Sequence, residues 1–326
     1  RWRRDFLSIP YGQFIYIRDL KDNYLWSAAY APTYKEPDYY SVEFSPYKAS
    51  FRRKDREIET EMDVFLLPEE AGEVRRIRLY NNREEEALLE VISYFEIVGE
   101  RLESDLAHPA FNNLFVETEV LEEEKCILAH RRNRDKGEDR WILHGVRTFI
   151  KGEDRFYYET NRGNFIGRGG FLKVPMGIIK GLTNSSGIVL DPIMSIGKKI
   201  KLEPKEKIEI FFISALTNSK DEAIDILRKF NNKTSFKIAL DLFKTKSQAE
   251  MGYLSLNKLN SRLYEELLPC LFYLNENIKQ PYMLILKQNI KGKEGLWAYG
   301  ISGDNPIVLV KIKSMEGIST LVQLLD

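Results

Sequence analysis

The sequence is poor in the side chains that most often bind metals or act as nucleophile and base. Its 326 residues hold three histidines, His108, His130 and His144, and two cysteines, Cys126 and Cys270. The histidines lack the spacing of a ligand set, so no metal site is expected and they read as structural. Each cysteine sits in an apolar stretch, Cys126-Ile127-Leu128-Ala129 and Pro269-Cys270-Leu271-Phe272. Both read as buried thiols of a reducing compartment rather than as a disulfide. A charge excess is missing as well: Lys+Arg and Asp+Glu are both 49, which removes any global attraction to nucleic acid or to an anionic membrane. No apolar run approaches the ~20 residues that span a bilayer. There is no Gly-x-Ser-x-Gly, no His-Glu-x-x-His, no Walker phosphate loop and no dinucleotide fingerprint. The opening Arg1-Trp2-Arg3-Arg4-Asp5-Phe6 has neither an initiator Met nor an apolar targeting core, and reads as the start of a fragment.

What is present is β patterning. From Gln13 to about Ser214 the chain alternates apolar and polar residues in short runs rich in β-branched and aromatic side chains, separated by turn residues. Runs at 14–20 and 24–29 flank Lys21-Asp22-Asn23, a hairpin turn. Residues 57–67 set Ile58, Thr60, Met62 and Val64 against Glu57, Glu59, Glu61 and Asp63, so one face of that strand is expected to be wet. Runs at 73–80 and 87–98 bracket Asn81-Asn82-Arg83-Glu84 and read as a second hairpin, with Val74, Ile77, Leu79, Leu89, Val91, Ile92 and Phe95 inward. Further strands are expected at 114–118, 126–131, 141–149, 155–159, 186–196 and 199–216, the last broken by Glu203-Pro204-Lys205-Glu206. So many antiparallel strands are stable as two packed sheets, and the chain is read as mainly β, a large antiparallel two-sheet β-sandwich.

The period changes at Thr217. Asn218-Ser219 supplies the N-cap of a helix on which Ala223, Ile224, Leu227 and Phe230 recur, and a longer helical pattern runs from about Thr234 to Leu268, with Pro269 ending it. After Gly295, a glycine-rich turn feeds an apolar run, Ile307-Val308-Leu309-Val310-Lys311-Ile312, expected to be a strand. The domain reading is a sandwich over 1–216, a helical linker over 217–294, and a junction strand opening a further domain over 295–326.

Two stretches carry usable chemistry. Tyr158-Glu159-Thr160-Asn161-Arg162-Gly163-Asn164-Phe165-Ile166-Gly167-Arg168-Gly169-Gly170 reads as a loop after a strand and presents guanidinium forks, amides and bare backbone, which suit sugar hydroxyls or phosphate, although a solvated loop would read the same way. In Gly300-Ile301-Ser302-Gly303-Asp304-Asn305-Pro306, Asp304 is suited to bond sugar hydroxyls or to cap the turn, and the cap is the better reading.

Taken in order, six segments resemble glycoside hydrolase family 94, once classed as glycosyltransferase family 36, and most closely the phosphorylase-like region of cyclic β-1,2-glucan synthases. They are Gly12 to Asp19, Trp26 to Thr33, His108 to Phe111 with Leu114 to Glu119, Tyr158 to Gly169, Val189 to Ile193, and Leu296-Trp297 with Gly300 to Ile312. The resemblance implies a galactose-mutarotase-like supersandwich followed by linker helices and an (α/α)6 barrel. An Asp on that barrel would act as general acid while inorganic phosphate attacks the anomeric carbon with inversion.

No segment here matches the one that carries the acid, so the resemblance assigns no catalytic residue and no cofactor to this chain. Phosphate is instead a co-substrate of the parent protein. Arg162, Asn164 and Arg168 become candidates for lining the substrate cleft, and Asp304 and Asn305 for fixing the domain junction. Expected partners are a β-glucan oligosaccharide, the parent's catalytic barrel and a second copy in a homodimer, with no nucleic acid. The expected location is cytoplasmic, in a parent that is a candidate for inner-membrane anchoring. The expected role is phosphorolysis of β-1,2-glucan to glucose 1-phosphate, controlling chain length; the alternative is a noncatalytic carbohydrate-binding or dimerisation module.

Overall fold

The structure is a computed structural model that describes residues 12–132, 139–149, 155–271, 276–315 and 317–325. The opening residues read above as the start of a fragment lie outside them. Two compact units divide after Thr245.

The first unit is the sandwich. Its early strands are β1 (Phe14–Asp19), β2 (Leu25–Ser27), β3 (Tyr39–Ser45), β4 (Lys48–Asp55), β5 (Ile58–Leu66), β6 (Gly72–Asn81) and β7 (Ala87–Glu96). Helices α1 (Leu102–Ala107) and α2 (Pro109–Asn113) precede β8 (Val116–Leu121), β9 (Cys126–Arg131), β10 (Arg140–Thr148) and β11 (Tyr157–Asn161). Then come α3 (Arg162–Ile166), α4 (Met176–Lys180), β12 (Gly187–Ile188), β13 (Pro192–Leu202), β14 (Lys207–Thr217), α5 (Lys220–Lys229) and α6 (Lys233–Tyr253). A five-stranded sheet runs β11-β13-β7-β1-β2 and a nine-stranded sheet runs β12-β8-β9-β10-β14-β6-β5-β4-β3, with every pairing antiparallel. The two-sheet architecture is the one expected.

Each sheet is apolar on both faces over part of its area, which produces three cores. Ile17, Ile77, Leu79, Leu89, Val91 and Phe212 fill the space between the sheets. Phe14, Tyr16, Ile92 and Tyr94, on the far side of the five-stranded sheet, pack with Phe165 and Ile178 of α3 and α4. Val74, Leu143, Phe211 and Ile213, on the far side of the nine-stranded sheet, pack with Ala223, Leu227 and Phe230 of α5 and Phe236 of α6. Val74 and Ile92 therefore face the outer layers instead of the inter-sheet core. Gly145 of β10 is what lets α5 settle: a Cβ there would stand 2.6 Å from a methyl of Leu227. As far as Thr245, the helices expected to form a linker are thus part of the sandwich's own compact unit.

Several local readings change. Residues 73–80 and 87–98 do not form a hairpin, because β6 and β7 belong to opposite sheets and the chain arches between them. The buried Asn81 holds that arch, its amide donating to the carbonyls of Glu85, Leu202 and Glu203 and so tying it to the second arch between β13 and β14. The run at 186–196 is cut at residues 189–191, where the chain passes from β12 in one sheet to β13 in the other. Asp63 lies on the expected polar face but is buried. Although burial pushes its carboxyl up, hydrogen bonds from Ser50, Arg76 and Lys48 hold it at about 2.

In the second unit the long helical pattern breaks at Ser255, whose φ is 52°, and restarts as α7 (Lys258–Leu267) with Asn257 as its N-cap. The expected strand at 307–312 is absent: these residues are exposed and pair with no strand among the described residues. An isolated apolar run has no ladder to join. Cys270 is exposed, whereas Cys126 is buried and its thiol is pushed up to about 12 by burial. Among the described residues no helix is long and apolar enough to cross a membrane.

Polar contacts cross the inter-sheet core. His144 of β10 is fully buried, with Nε2 2.7 Å from Ser93 Oγ of β7 and Nδ1 2.9 Å from Ser214 Oγ of β14. Trp26 of β2 donates to Thr60 Oγ1 of β5 at 3.4 Å. Burial lowers His144 to about 3. The unfolded chain then takes up a proton near pH 6.5 that the folded chain refuses, so stability is full above that pH and falls toward pH 3, at up to about 1.4 kcal/mol per pH unit. Replacing His144 by Asn is expected to flatten the pH 4.5–6 limb in urea unfolding; an unaltered limb would assign it to other groups.

Candidate functional site

The site grows from the outer face of the five-stranded sheet. Alternation along β7 turns Ser93 inward and sends Tyr94 and Glu96 outward, toward α3. Arg162, the first residue of α3, donates from Nε to Glu96 Oε1 at 3.0 Å, while its Nη1 lies 3.5 Å from Asp191 Oδ2. Its backbone N–H donates to the Asp191 carbonyl at 2.9 Å, and Asn113 of α2 donates to Asp191 Oδ1 at 3.3 Å. Burial works against the Arg162 charge, but Tyr94, Glu96 and Asp191 outweigh it and raise the guanidinium above its ordinary range. Burial, reinforced by the Glu96 charge, raises the Tyr94 phenol.

Beneath α3, the buried carboxylate of Glu159 accepts from the backbone N–H groups of Thr160 and Asn161 at 3.1 and 2.9 Å. It also accepts from Thr183 N–H at 3.2 Å and from the hydroxyls of Thr183 and Ser185. This one side chain closes the excursion from β11 through α3 and α4 back to residue 185. Asn161 caps α3 by accepting from Gly163 N–H at 2.8 Å. Gly170 permits the tight return after α3, since a Cβ there would stand 2.1 Å from the Ile166 carbonyl oxygen.

The expected loop is therefore a short helix on an anchored cap, and the candidate residues divide. Arg162 is committed to internal carboxylates. Asn164 is exposed and donates to Thr183 Oγ1 at 3.4 Å. Arg168 is exposed and has no hydrogen bond or ion pair among the described residues. Nearby in sequence, Phe171 is 75% exposed. From Arg162 to Leu182 the cap carries Arg162, Arg168, Lys173 and Lys180 and no carboxylate of its own. With Arg162 paired inward, Arg168, Lys173 and Lys180 are each exposed and offer donors suited to an anion or to a phosphorylated hydroxyl compound.

Asp304 and Asn305 lie in the second unit. Asp304 accepts from Lys293 Nζ at 2.6 Å, and its carboxyl is held below its ordinary range, first by that hydrogen bond and then by the same charge. The turn cap expected of its side chain is replaced by this ion pair; its backbone N–H donates to Ser302 Oγ at 3.4 Å. Asn305 is exposed. Sequence reasoning missed the anchors Glu96 and Asn113. Glu159 and Asp191 were visible only as parts of the Tyr158 to Gly169 and Val189 to Ile193 segments.

Two large antiparallel sheets, one of them bearing a cap with four cations and no carboxylate, define the class as a large β-sandwich module. The family model described as glycosyl hydrolase 94, supersandwich domain, matches residues 1–233, and the chain belongs to that family. It is similar to the cyclic beta-(1,2)-glucan synthase NdvB of Rhizobium meliloti (strain 1021), 26% identical over 315 residues, which make up 96% of this chain and 11% of that protein. The chain thus spans about a tenth of the length of this curated relative. Among solved structures, a putative kojibiose phosphorylase from human microbiome aligns with TM-score 0.44 and 8% identity, over 72% of this chain and 27% of its own. A bacterial glucoamylase complexed with acarbose aligns with TM-score 0.46 and 12% identity, over 77% and 33% respectively.

Replacing Glu159 by Gln sets an amide N–H₂ against donors and is expected to cost about 2 kcal/mol locally. Amide exchange at Thr160, Asn161 and Thr183 should then accelerate about 30-fold with global unfolding little changed. Unchanged exchange would mean that Glu159 does not anchor the cap.

Proposed function

We propose that this chain is the sandwich portion of an inverting glycoside phosphorylase that acts on β-1,2-glucan and releases glucose 1-phosphate, within a protein that controls glucan chain length. The observation that carries the reading is the cap: three exposed cations, Arg168, Lys173 and Lys180, without a carboxylate between residues 162 and 182, on a base fixed by Glu159. Such cations raise the local concentration of phosphate and sugar phosphate and contribute donors at the rim of a cleft. Membership of glycosyl hydrolase family 94 and the likeness to a cyclic β-(1,2)-glucan synthase support the substrate class.

The acid that protonates the leaving oxygen belongs, in this reading, to an (α/α)6 barrel elsewhere in the parent. Phosphate arrives anionic and needs no protein base to attack the anomeric carbon from the opposite face. Arg168 and Asn164 line the cleft, and Arg162 positions them from below. Asp304 and Asn305 belong to the junction with the barrel. The exposed apolar side chains of the second unit, Trp297, Tyr299, Leu284 and Leu309 among them, suit a surface that the barrel covers. A homodimer would bring the cap over a partner's cleft. Cys126 and Cys270, both free thiols, suit a reducing compartment, and the reading places the chain in the cytoplasm.

The test is glucose 1-phosphate release from β-1,2-glucooligosaccharide and phosphate. The full-length parent should release it and this chain alone should not. Arg168→Ala in the parent should raise KM for phosphate about tenfold, the loss of one charge-assisted contact. A parent that forms no glucose 1-phosphate, or an Arg168→Ala variant with unchanged kinetics and chain-length preference, would overturn the assignment.

A further inference from the structure

A second cluster of aromatic side chains lies at the β3 edge of the nine-stranded sheet. That edge is opposite the one formed by β12. The loop between β2 and β3 presents Tyr30 and Tyr34, 36% and 41% exposed, with ring centroids 5.8 Å apart and planes at 80°. Tyr40, the second residue of β3, adds a third ring 6.2 Å from Tyr30. Tyr30 and Tyr34 keep more than a third of their surface open to water, while Tyr40 is half-buried, its hydroxyl accepting from Tyr30 N–H at 3.3 Å.

The loop is held by groups that are themselves wholly buried. Arg53 and Asp55 of β4, both 0% exposed, form a bidentate pair at 2.6 and 2.7 Å. The same guanidinium donates to the carbonyls of Ala29 at 3.0 Å and Lys35 at 3.1 Å, one at each end of the loop. Ser27 Oγ donates to the Ala29 carbonyl at 2.7 Å and lies 2.9 Å from Thr33 Oγ1. Within this frame Tyr34 is kept at φ 51°, its N–H donating to the Tyr30 carbonyl at 2.9 Å. A bulky residue in the left-handed region costs free energy, and such outliers collect at ligand clamps because the surrounding structure fixes a side chain where it is used.

The rim sets the class of ligand. Tyr30 donates its hydroxyl to Glu36 Oε1 at 2.6 Å, which raises the phenol above its ordinary range. Lys35 lies 4.8 Å over the Tyr24 ring, and Asp38 accepts from Arg56 N–H at 2.9 Å. The loop carries Lys35, Glu36 and Asp38, and Arg56 donates to Asp38, so no excess of positive charge is present to attract a polyanion. Aromatic planes fringed with hydroxyl, carboxylate and ammonium groups match the alternating C–H faces and hydroxyl edges of a neutral pyranose. We propose that Tyr30, Tyr34 and Tyr40 form a saccharide-binding platform for a neutral oligosaccharide, separate from the cap on α3. The proposal rests on the carbohydrate-active class of the chain and not on phosphorolysis.

The test uses the 326-residue chain and mixed-length β-1,2-glucooligosaccharides, with cello- and laminari-oligosaccharides alongside, read by saturation-transfer NMR and calorimetry. Tyr34→Gly removes a ring at a position whose left-handed backbone glycine adopts freely, so the fold should persist while binding weakens about three- to tenfold. Tyr30→Ala should weaken binding to a similar extent, and Tyr34→Phe should preserve it. The proposal fails if none of the three saccharides binds, or if Tyr34→Gly and Tyr30→Ala bind as the unmodified chain does. Binding lost in Arg168→Ala but kept in both tyrosine variants would place the sugar on the cap, overturning the platform while leaving the cleft assignment standing.

Discussion

The hydrogen-bonded bridge from Ser93 through His144 to Ser214 sets the geometry on which the rest depends. Apolar burial drives the sheets together and is tolerant of small repacking shifts. A buried imidazole with a hydroxyl on each nitrogen is not, because any shift strands a polar group in a dry core. Since Ser93 is fixed on the inner face of β7, its neighbours Tyr94 and Glu96 are fixed on the outer face, where Arg162 meets them. The alignment of the sheets and the footing of the cap are thus two faces of one strand.

Much of the fold was legible because its signals are local. Alternation marked nearly every strand, Lys21-Asp22-Asn23 marked the β1–β2 hairpin, and Ser219 marked the start of α5 by the cap it supplies to Glu222 N–H. What failed were features decided by distant neighbours. Asn81-Asn82-Arg83-Glu84 has the chemistry of a hairpin turn, yet Asn81 spends its amide on carbonyls at 85, 202 and 203, and the chain changes sheet instead. The apolar run at 307–312 looks like a strand to any periodicity rule, but a ladder needs two chains.

The site followed the same division. Arg162, Asn164 and Arg168 stood out because guanidinium and amide groups among glycines are conspicuous. Their unequal fates were not legible, since Arg162 is drawn inward by Glu96 and Asp191, 66 residues before it and 29 after it. The anchoring role of Glu159 was silent for a related reason: a lone acid ending a strand gives no hint that Thr183 and Ser185 will return to it. The Tyr34 backbone was equally hidden, because its conformation is imposed by Arg53 across the loop rather than favoured by its own sequence.

Asp191 occupies the step where the chain leaves β12 in one sheet for β13 in the other, and it holds Arg162 by both side chain and carbonyl while Asn113 holds it from the β8 side. A force applied to the cap by a bound molecule is therefore shared between both sheets rather than flexing one edge. The cap is braced as a bracket is, from two sides at once, and not hinged as a lid would be.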